Sequence, residues 1–248
     1  MILLFTDFGL EGPYIGQVKA VLQEAAPGVP VIDMVSDAPP FDAEASAYLL
    51  AALAPAYPTG SVILAVVDPG VGGERAALVL EADGRWYVGP DNGLFALVTR
   101  RADAKRIWQA TWRPDVLSAS FHGRDLFAPL AAAIARGQRP PAGCEAAALT
   151  IGADWPDERD RVIYVDRFGN LMTGRRAAAL PAESRLRCGP ASLRRARTFG
   201  DVARGQAFWY ENANGLVEIA VNQGRADRTL GLGVGDAIAI ETGEEAEG

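Results

Sequence analysis

Three short, unbroken apolar runs punctuate the first half of the chain: ILLFT (2–6), PVIDMV (30–35) and SVILAVV (61–67). Rich in Ile, Leu and Val, they have the character of strands covered on both faces. Between them, YIGQVKAVLQEA (14–25) and DAEASAYLLAALAP (42–55) repeat apolar residues at helical spacing. GRDLFAPLAAAIARG (123–137) is a third helical segment, closed by Gly137. This β-α-β-α-β order predicts an α/β domain over 1–145, an open and mainly parallel sheet with flanking helices. The pattern breaks where Pro, Ala and charge accumulate, and a linker is expected over 146–160. Beyond it, RVIYVD, AFWYE, GLVEIAVN and DAIAIET are short β-type runs separated by Gly and Asn turns, so 161–248 is expected to form a smaller all-β, barrel-like domain. The closing GEEAEG is expected to fray.

Composition narrows the classes. At 248 residues with 49% hydrophobic content the chain can bury a substantial core. No apolar run approaches the roughly 20 residues of a membrane-spanning helix, so no membrane partner is expected. MILLFTDFG has no basic leader and turns polar after five residues, which suits a first strand rather than a signal peptide. Two cysteines far apart, Cys144 and Cys188, fit a reducing cytoplasm and no disulfide framework. A net charge of −7 argues against a nucleic-acid partner. The one basic cluster, RLRCGPASLRRARTF (185–199), is expected to be a solvated face or an oligomer contact.

Ligands of open α/β sheets bind beyond the carboxyl ends of the strands. Polar groups expected there are Asp7 in TDFG, Asp68 and Arg75 in DPGVGGER, Asp91 and Asn92 in GPDNGLF, and the single histidine, His122, in SFHGRD. Several have plain structural readings: PDNG is a turn signature, and a lone histidine is often a core residue with one hydrogen bond. DPGVGG lacks the Gly-Lys-Ser/Thr ending of a phosphate loop, and no GxGxxG follows the first strand. One His and no Cys cluster leave only carboxylates for a metal, suiting Mg²⁺ or Ca²⁺ rather than Zn²⁺. Ser118 and Ser120 lie near His122, yet no G-x-S-x-G elbow is present. The residues alone therefore reach an α/β small-molecule enzyme with its site at the strand ends.

Taken in order, TDFG, DPGVGGER, GPDNGLF, SFHGRDLFAP and VDRFGNLMTG resemble the S-adenosyl-L-methionine (SAM) hydroxide adenosyltransferases, relatives of the SAM-dependent fluorinases and chlorinases. The resemblance runs from Asp7 to NGLVEIAVNQG (214–224). It implies hydrolysis of SAM to adenosine and L-methionine by attack of water on the ribose C5′, with no cofactor and no metal. It also implies a homotrimer with sites between subunits. Asp68, Arg75 and His122 match the family's water-handling set. Asp7 matches the carboxylate that takes the ribose hydroxyls, and Phe41 matches an aromatic wall. Asp166 would meet the methionine ammonium, Phe168 would stack on adenine and Asn170 would read its edge. Asn92 and Asn214 complete the implied binding residues, although NANG (212–215) departs from the pattern near the methionine carboxylate, as does Gly12 at the position of a second acidic residue.

Asp68 and Val71 stand where the halogenases carry a Tyr and a Thr, and Gly123 where they carry a halide-binding Ser. A carboxylate beside the nucleophile would repel a halide, so a halogenase is disfavoured. Two further alternatives belong to other classes: a SAM- or adenosine-binding regulatory module with little turnover, and a carboxylate-metal hydrolase using Asp7, Asp68 and Asp91, which EDTA would inactivate.

Overall fold

The computed structural model describes residues 1–241, and the terminal GEEAEG lies outside the described residues. The chain divides into two compact units, Met1–Trp155 and Pro156–Gly248.

In the first unit the apolar runs form strands β1 (Ile2–Thr6), β2 (Val31–Val35) and β3 (Val62–Val66). β1 and β3 are buried throughout, as unbroken Ile/Leu/Val sequences require. The intervening segments are helices α1 (Tyr14–Ala25) and α2 (Ala43–Leu53), the latter capped by the Asp42 carboxylate on the Ala45 N–H at 2.8 Å. Four more strands follow, β4 (Ala77–Ala82), β5 (Arg85–Pro90), β6 (Lys105–Ala110) and β7 (Cys144–Ala146), with helices α3 (Ala96–Arg101) and α4 (Ala128–Ala135). The seven strands make one sheet in the order β2-β1-β3-β5-β4-β6-β7.

This sheet is mixed rather than mainly parallel. β2, β1, β3 and β5 run parallel, while β5-β4, β4-β6 and β6-β7 are antiparallel. The reversal begins at Asp83-Gly84, both with positive φ (47° and 75°), which turn β4 into β5 as a tight hairpin. The core of this half joins α1 and α4 to the sheet through Leu4, Leu22, Leu64, Val88, Phe127 and Ala131. Residues 146–155 are counted with this unit. The Arg100 guanidinium clasps them, donating to the carbonyls of Gly152 (2.9 Å), Ala153 (3.0 Å) and Trp155.

The second unit contains β8 (Arg159–Val165), β9 (Leu171–Arg176), β10 (Arg185–Cys188), β11 (Ala191–Leu193), β12 (Ala207–Glu211), β13 (Leu216–Val221), a short helix α5 (Ala226–Leu230) and β14 (Ala239–Glu241). The strands form two antiparallel sheets, β12-β13-β9-β8 and β11-β10-β14. Isolated bridges at Arg161–Ala237 and Arg195–Trp209 link their edges, and no continuous ladder closes a barrel among the described residues. Trp209, Val217, Ile219, Leu171 and Leu186 fill the interior.

Candidate active site

β1 and β3 lie side by side, with Thr6 paired to Val66 at their carboxyl ends. The residues that leave the sheet there, Asp7 and Asp68, are thereby brought to one rim. Asp68 opens a loop that folds back so that Arg75 grips it. Arg75 Nε donates to Asp68 Oδ1 at 2.9 Å and Oδ2 at 3.0 Å, and its Nη2 also donates to Oδ2. The pair is almost completely withdrawn from solvent, with side-chain exposures of 11% for Arg75 and 4% for Asp68. The guanidinium also lies 5.1 Å from the centre of the Phe127 ring, a cation–π contact that holds it from below.

His122 immediately precedes a π-type turn over Gly123–Phe127 that leads into α4. The expected helix over 123–137 therefore begins with a widened turn, a feature found often at functional sites. The imidazole is buried, and its Nδ1 lies 2.9 Å from Arg75 Nη2. A guanidinium can only donate, so Nδ1 must accept, and the neutral ring carries its proton on Nε2. Burial first, and then the neighbouring Arg75 charge, holds the His122 pKa below the ordinary histidine value of 6.5. The three residues matched by motif order are thus one connected set, Asp68–Arg75–His122.

Two further features hold the set in place. The Asp125 carboxylate accepts the Ser118 N–H at 2.9 Å and the Arg124 guanidinium at 2.6 and 3.0 Å, and Arg124 donates to Gln17 at 2.8 Å, tying the histidine loop to α1. Gly72, with φ +81°, passes so close to the Ala119 carbonyl that a Cβ there would collide with it. The loop bearing Asp68 and Arg75 and the loop bearing His122 therefore meet at a position only glycine fits.

A cavity of about 580 Å³ opens over this set. Asp7, Phe8, Tyr14, Phe41, Phe121 and Val71 line it beside Asp68 and His122. Burial raises the Asp7 pKa, and Asp68 adds to the effect. Asp7 Oδ2 accepts the N–H of Phe41 at 3.1 Å. Phe41 itself sits at φ +61° and is 77% exposed. A left-handed aromatic residue is costly to hold and such strain gathers at ligand sites. Phe8, Tyr14 and Phe121 form a cluster of edge-to-face and tilted rings with centroids 5.3–6.2 Å apart.

Asn92 lies at the end of the same sheet with its amide engaged by the backbone. It donates to the Val67 carbonyl at 2.7 Å and accepts the Leu94 N–H at 3.2 Å. Asp91 has a buried carboxylate oxygen, and burial raises its pKa. Among the described residues, Asp7, Asp68 and Asp91 form no group of three metal-type ligands.

The second unit has its own cavity, of about 680 Å³, lined by Asp166, Phe168, Asn170, Tyr210 and Glu218 among others. The DRFGN turn builds one wall. The Asp166 carboxylate accepts from the Asn170 backbone N–H at 2.8 Å and from Asn170 Nδ2 at 3.0 Å, leaving Phe168 73% exposed. Asn214 lies on the turn between β12 and β13, outside the lining of this cavity, its N–H donating to Asn212 Oδ1 at 2.9 Å. Glu218 and Tyr210 were not expected from motif order, although a Glu inside the apolar run LVEIAV marks a buried carboxylate. Phe8, Tyr14 and Phe121 were also unforeseen, because ring clustering depends on the loops meeting in space.

An α/β unit with a buried Asp-Arg-His set at its strand ends, joined to a unit of two small antiparallel sheets, defines a two-part enzyme architecture. The SAM hydroxide adenosyltransferase N-terminal domain matches residues 2–143 and the corresponding C-terminal domain matches 160–239, and the chain belongs to that family. It is 41% identical to an (R)-S-adenosyl-L-methionine hydrolase of Thermus thermophilus, covering 96% of this chain and 98% of that protein. A protein of the same name from Salinispora tropica is 38% identical, covering 96% of each chain. A crystal structure of a conserved protein from Thermotoga maritima superposes with a TM-score of 0.87 at 30% identity, covering 98% of this chain and 100% of the other.

Proposed function

We propose that this protein hydrolyses S-adenosyl-L-methionine to adenosine and L-methionine by in-line attack of water on the ribose C5′. The observation that carries the reading is the Asp68–Arg75–His122 set, buried at the floor of a cavity and bonded in one chain. The sulfonium leaves as a neutral thioether, so the leaving group needs no acid. The enzyme must hold one water behind C5′ and give its proton a destination.

The fixed tautomer of His122 divides these tasks. Its Nε2–H donates to the water oxygen and aims a lone pair at carbon, while Nδ1 is occupied by Arg75. Asp68 is the acceptor that takes the water's proton as the new C5′–O bond forms and the C5′–S bond breaks, with the bonding pair going to sulfur. Arg75 neutralises Asp68 before the reaction and stabilises hydroxide character during it. The carboxylate at Asp68 also supports water over halide as nucleophile. Gly123 supports the same choice: a Cβ there would lie 3.0 Å from Phe8 Cζ, leaving little room for a halide-binding Ser.

In the same reading Asp7 takes the two ribose hydroxyls and Phe41 covers the sulfonium side. In the other cavity Asp166 meets the methionine ammonium, Phe168 stacks on adenine and Asn170 reads the adenine edge; Asn92, in the first unit, and Asn214, on the turn before β13, complete the binding set. The complementary chemistry of the two cavities supports a homotrimer in which one subunit's first unit and a neighbour's second unit share each substrate. The two isolated bridges that link the small sheets support reading the second unit as barrel-like.

Incubation with SAM in ¹⁸O-water tests the reaction. The label is expected at the adenosine 5′-oxygen, without loss of activity in EDTA. If neither adenosine nor methionine forms above the uncatalysed background, the reading fails and a binding module takes its place. Light scattering tests the trimer.

A further inference from the structure

The turn at the end of β5, PDNG (90–93), bonds to both ends of the loop that carries Asp68 and Arg75. Asn92 Nδ2 donates to the carbonyl of Val67, the residue before Asp68, at 2.7 Å. The Asp91 N–H donates to the carbonyl of Ala76, the residue after Arg75, at 3.0 Å. Asn92 Oδ1 accepts the Leu94 N–H at 3.2 Å, which turns the NH₂ towards Val67 and fixes the amide. Clipped at both ends, the loop presents the Asp68–Arg75 pair to His122 in one arrangement.

The turn is itself held from behind. Trp155, the last residue of the first unit, lays its indole against the bare backbone of Gly93. A Cβ there would collide with Trp155 Cη2 and lie 3.0 Å from Cζ2, so only glycine admits the ring. On the other side, a Cβ on Gly152 would lie 2.9 Å from Trp155 Cε3. The Arg100 guanidinium of α3 grips the carbonyls of this segment, including that of Trp155. The Ala96 N–H, where α3 begins, donates to the Gly93 carbonyl at 2.8 Å. Trp155 lines neither the cavity over the Asp68–Arg75–His122 set nor that of the second unit.

We propose that Trp155 is a positioning residue: its indole holds the PDNG turn in place, and the turn, through Asn92 and the Asp91 N–H, holds Asp68 and Arg75 against His122. Asn92 serves the site from behind the loop, with its amide engaged by the backbone. The effect on turnover rests on the hydrolase reading above, whereas the effect on His122 rests on the geometry alone.

The chain holds a single histidine, so its ring signals are unambiguous in ¹⁵N NMR of the intact protein without substrate. At a pH where the ring is neutral, wild type is expected to show one tautomer, with Nε2 protonated and Nδ1 accepting from Arg75. In Trp155→Ala the turn is released, and a mixture of tautomers is expected. With SAM as substrate, kcat is expected to fall about 10-fold while KM stays within about 2-fold, because the residue touches no ligand. Asn92→Asp keeps the shape but sets an acceptor against the Val67 carbonyl, and it is expected to give the same mixture. The double variant is expected to lose less than about 2-fold in kcat beyond the larger single loss, because both act through one turn. A fixed tautomer in folded Trp155→Ala overturns the role whatever the rate does, as does full additivity with Asn92→Asp. A mixture already present in wild type overturns it too, since the loop would then not be held. Should Trp155→Ala not fold, Asn92→Asp decides alone, and a fixed tautomer there overturns the proposal. A protein that leaves SAM intact but loses its single tautomer in Trp155→Ala keeps this inference and loses the hydrolase reading.

Discussion

Asp68 and Glu218 are both carboxylates withdrawn from water, each lining a cavity of similar size in its own unit. Asp68 faces a guanidinium gripping both of its oxygens, whereas Glu218 accepts from a phenol and an amide. Charge pairing at Asp68 offsets the cost of burying the anion. At Glu218 neutral donors offset only part of that cost, and burial leaves its pKa raised. The same side-chain chemistry is thus buried in two ways, against a cation in one unit and against neutral donors in the other.

The largest effect that can break this comparison is loss of the charged set. Asp68→Ala and His122→Ala are each expected to lower kcat by about 10²-fold or more, while KM changes less. Rate measurements at saturating SAM decide it. Unchanged turnover in both variants would remove the roles proposed for Asp68 and His122.

Gly72 sharpens the same contrast by geometry alone. Gly72→Ala forces a Cβ into the Ala119 carbonyl and a left-handed φ onto alanine. The expected cost is about 1–3 kcal/mol of stability and roughly 10-fold in kcat, because a shift of the Arg75 loop away from His122 misplaces the water. Thermal melts and steady-state rates read the two effects separately. Loss of stability with full kcat would show that the loops need not touch for chemistry.

The pH profile separates the partners of His122. Burial and the Arg75 charge lower its pKa below 6.5, so the ring stays neutral to lower pH than an ordinary histidine. Protonation would put a second donor against Arg75 and break the contact. Activity is therefore expected to hold as pH falls through 6.5 and to decline only below it. In Arg75→Gln the decline of the residual activity is expected to move to higher pH, since a cation that disfavours imidazolium is gone. A limb in kcat/KM that does not move would detach the arginine charge from the histidine.

Much of this was legible in the chain. Unbroken runs such as ILLFT and SVILAVV gave β1 and β3 to within a residue, because buried parallel strands need apolar side chains on both faces. The antiparallel half of the sheet was missed although its signal was present. ALVLEADGRWYVG carries an Asp-Gly turn between two apolar runs, a hairpin mark that a search for βαβ units passes over. At the site, Asp68, Arg75 and His122 could be grouped only through the order of familiar motifs, since 47 residues separate Arg75 from His122. Nothing in sequence spacing reveals that Arg75 bridges the other two, or which imidazole nitrogen it engages. Such facts depend on where two loops cross, and Gly72 is the sole local trace of that crossing.

Phe41 carries the smallest expected effect and bears on a different kind of cost. Its backbone is held at φ +61° with the N–H on Asp7, and its ring is 77% exposed. Phe41→Gly keeps the N–H for Asp7 and removes both the strained Cβ and the ring. Stability is expected to rise by about 1 kcal/mol, while kcat/KM falls several-fold, mostly through KM, as the sulfonium side loses its cover. Phe41→Ala separates the two contributions, because it keeps the strain and loses only the ring. If Phe41→Gly raised stability and left KM unchanged, the strained aromatic would have no ligand to cover, and the first cavity would owe its binding to Asp7 and the Phe8–Tyr14–Phe121 cluster alone.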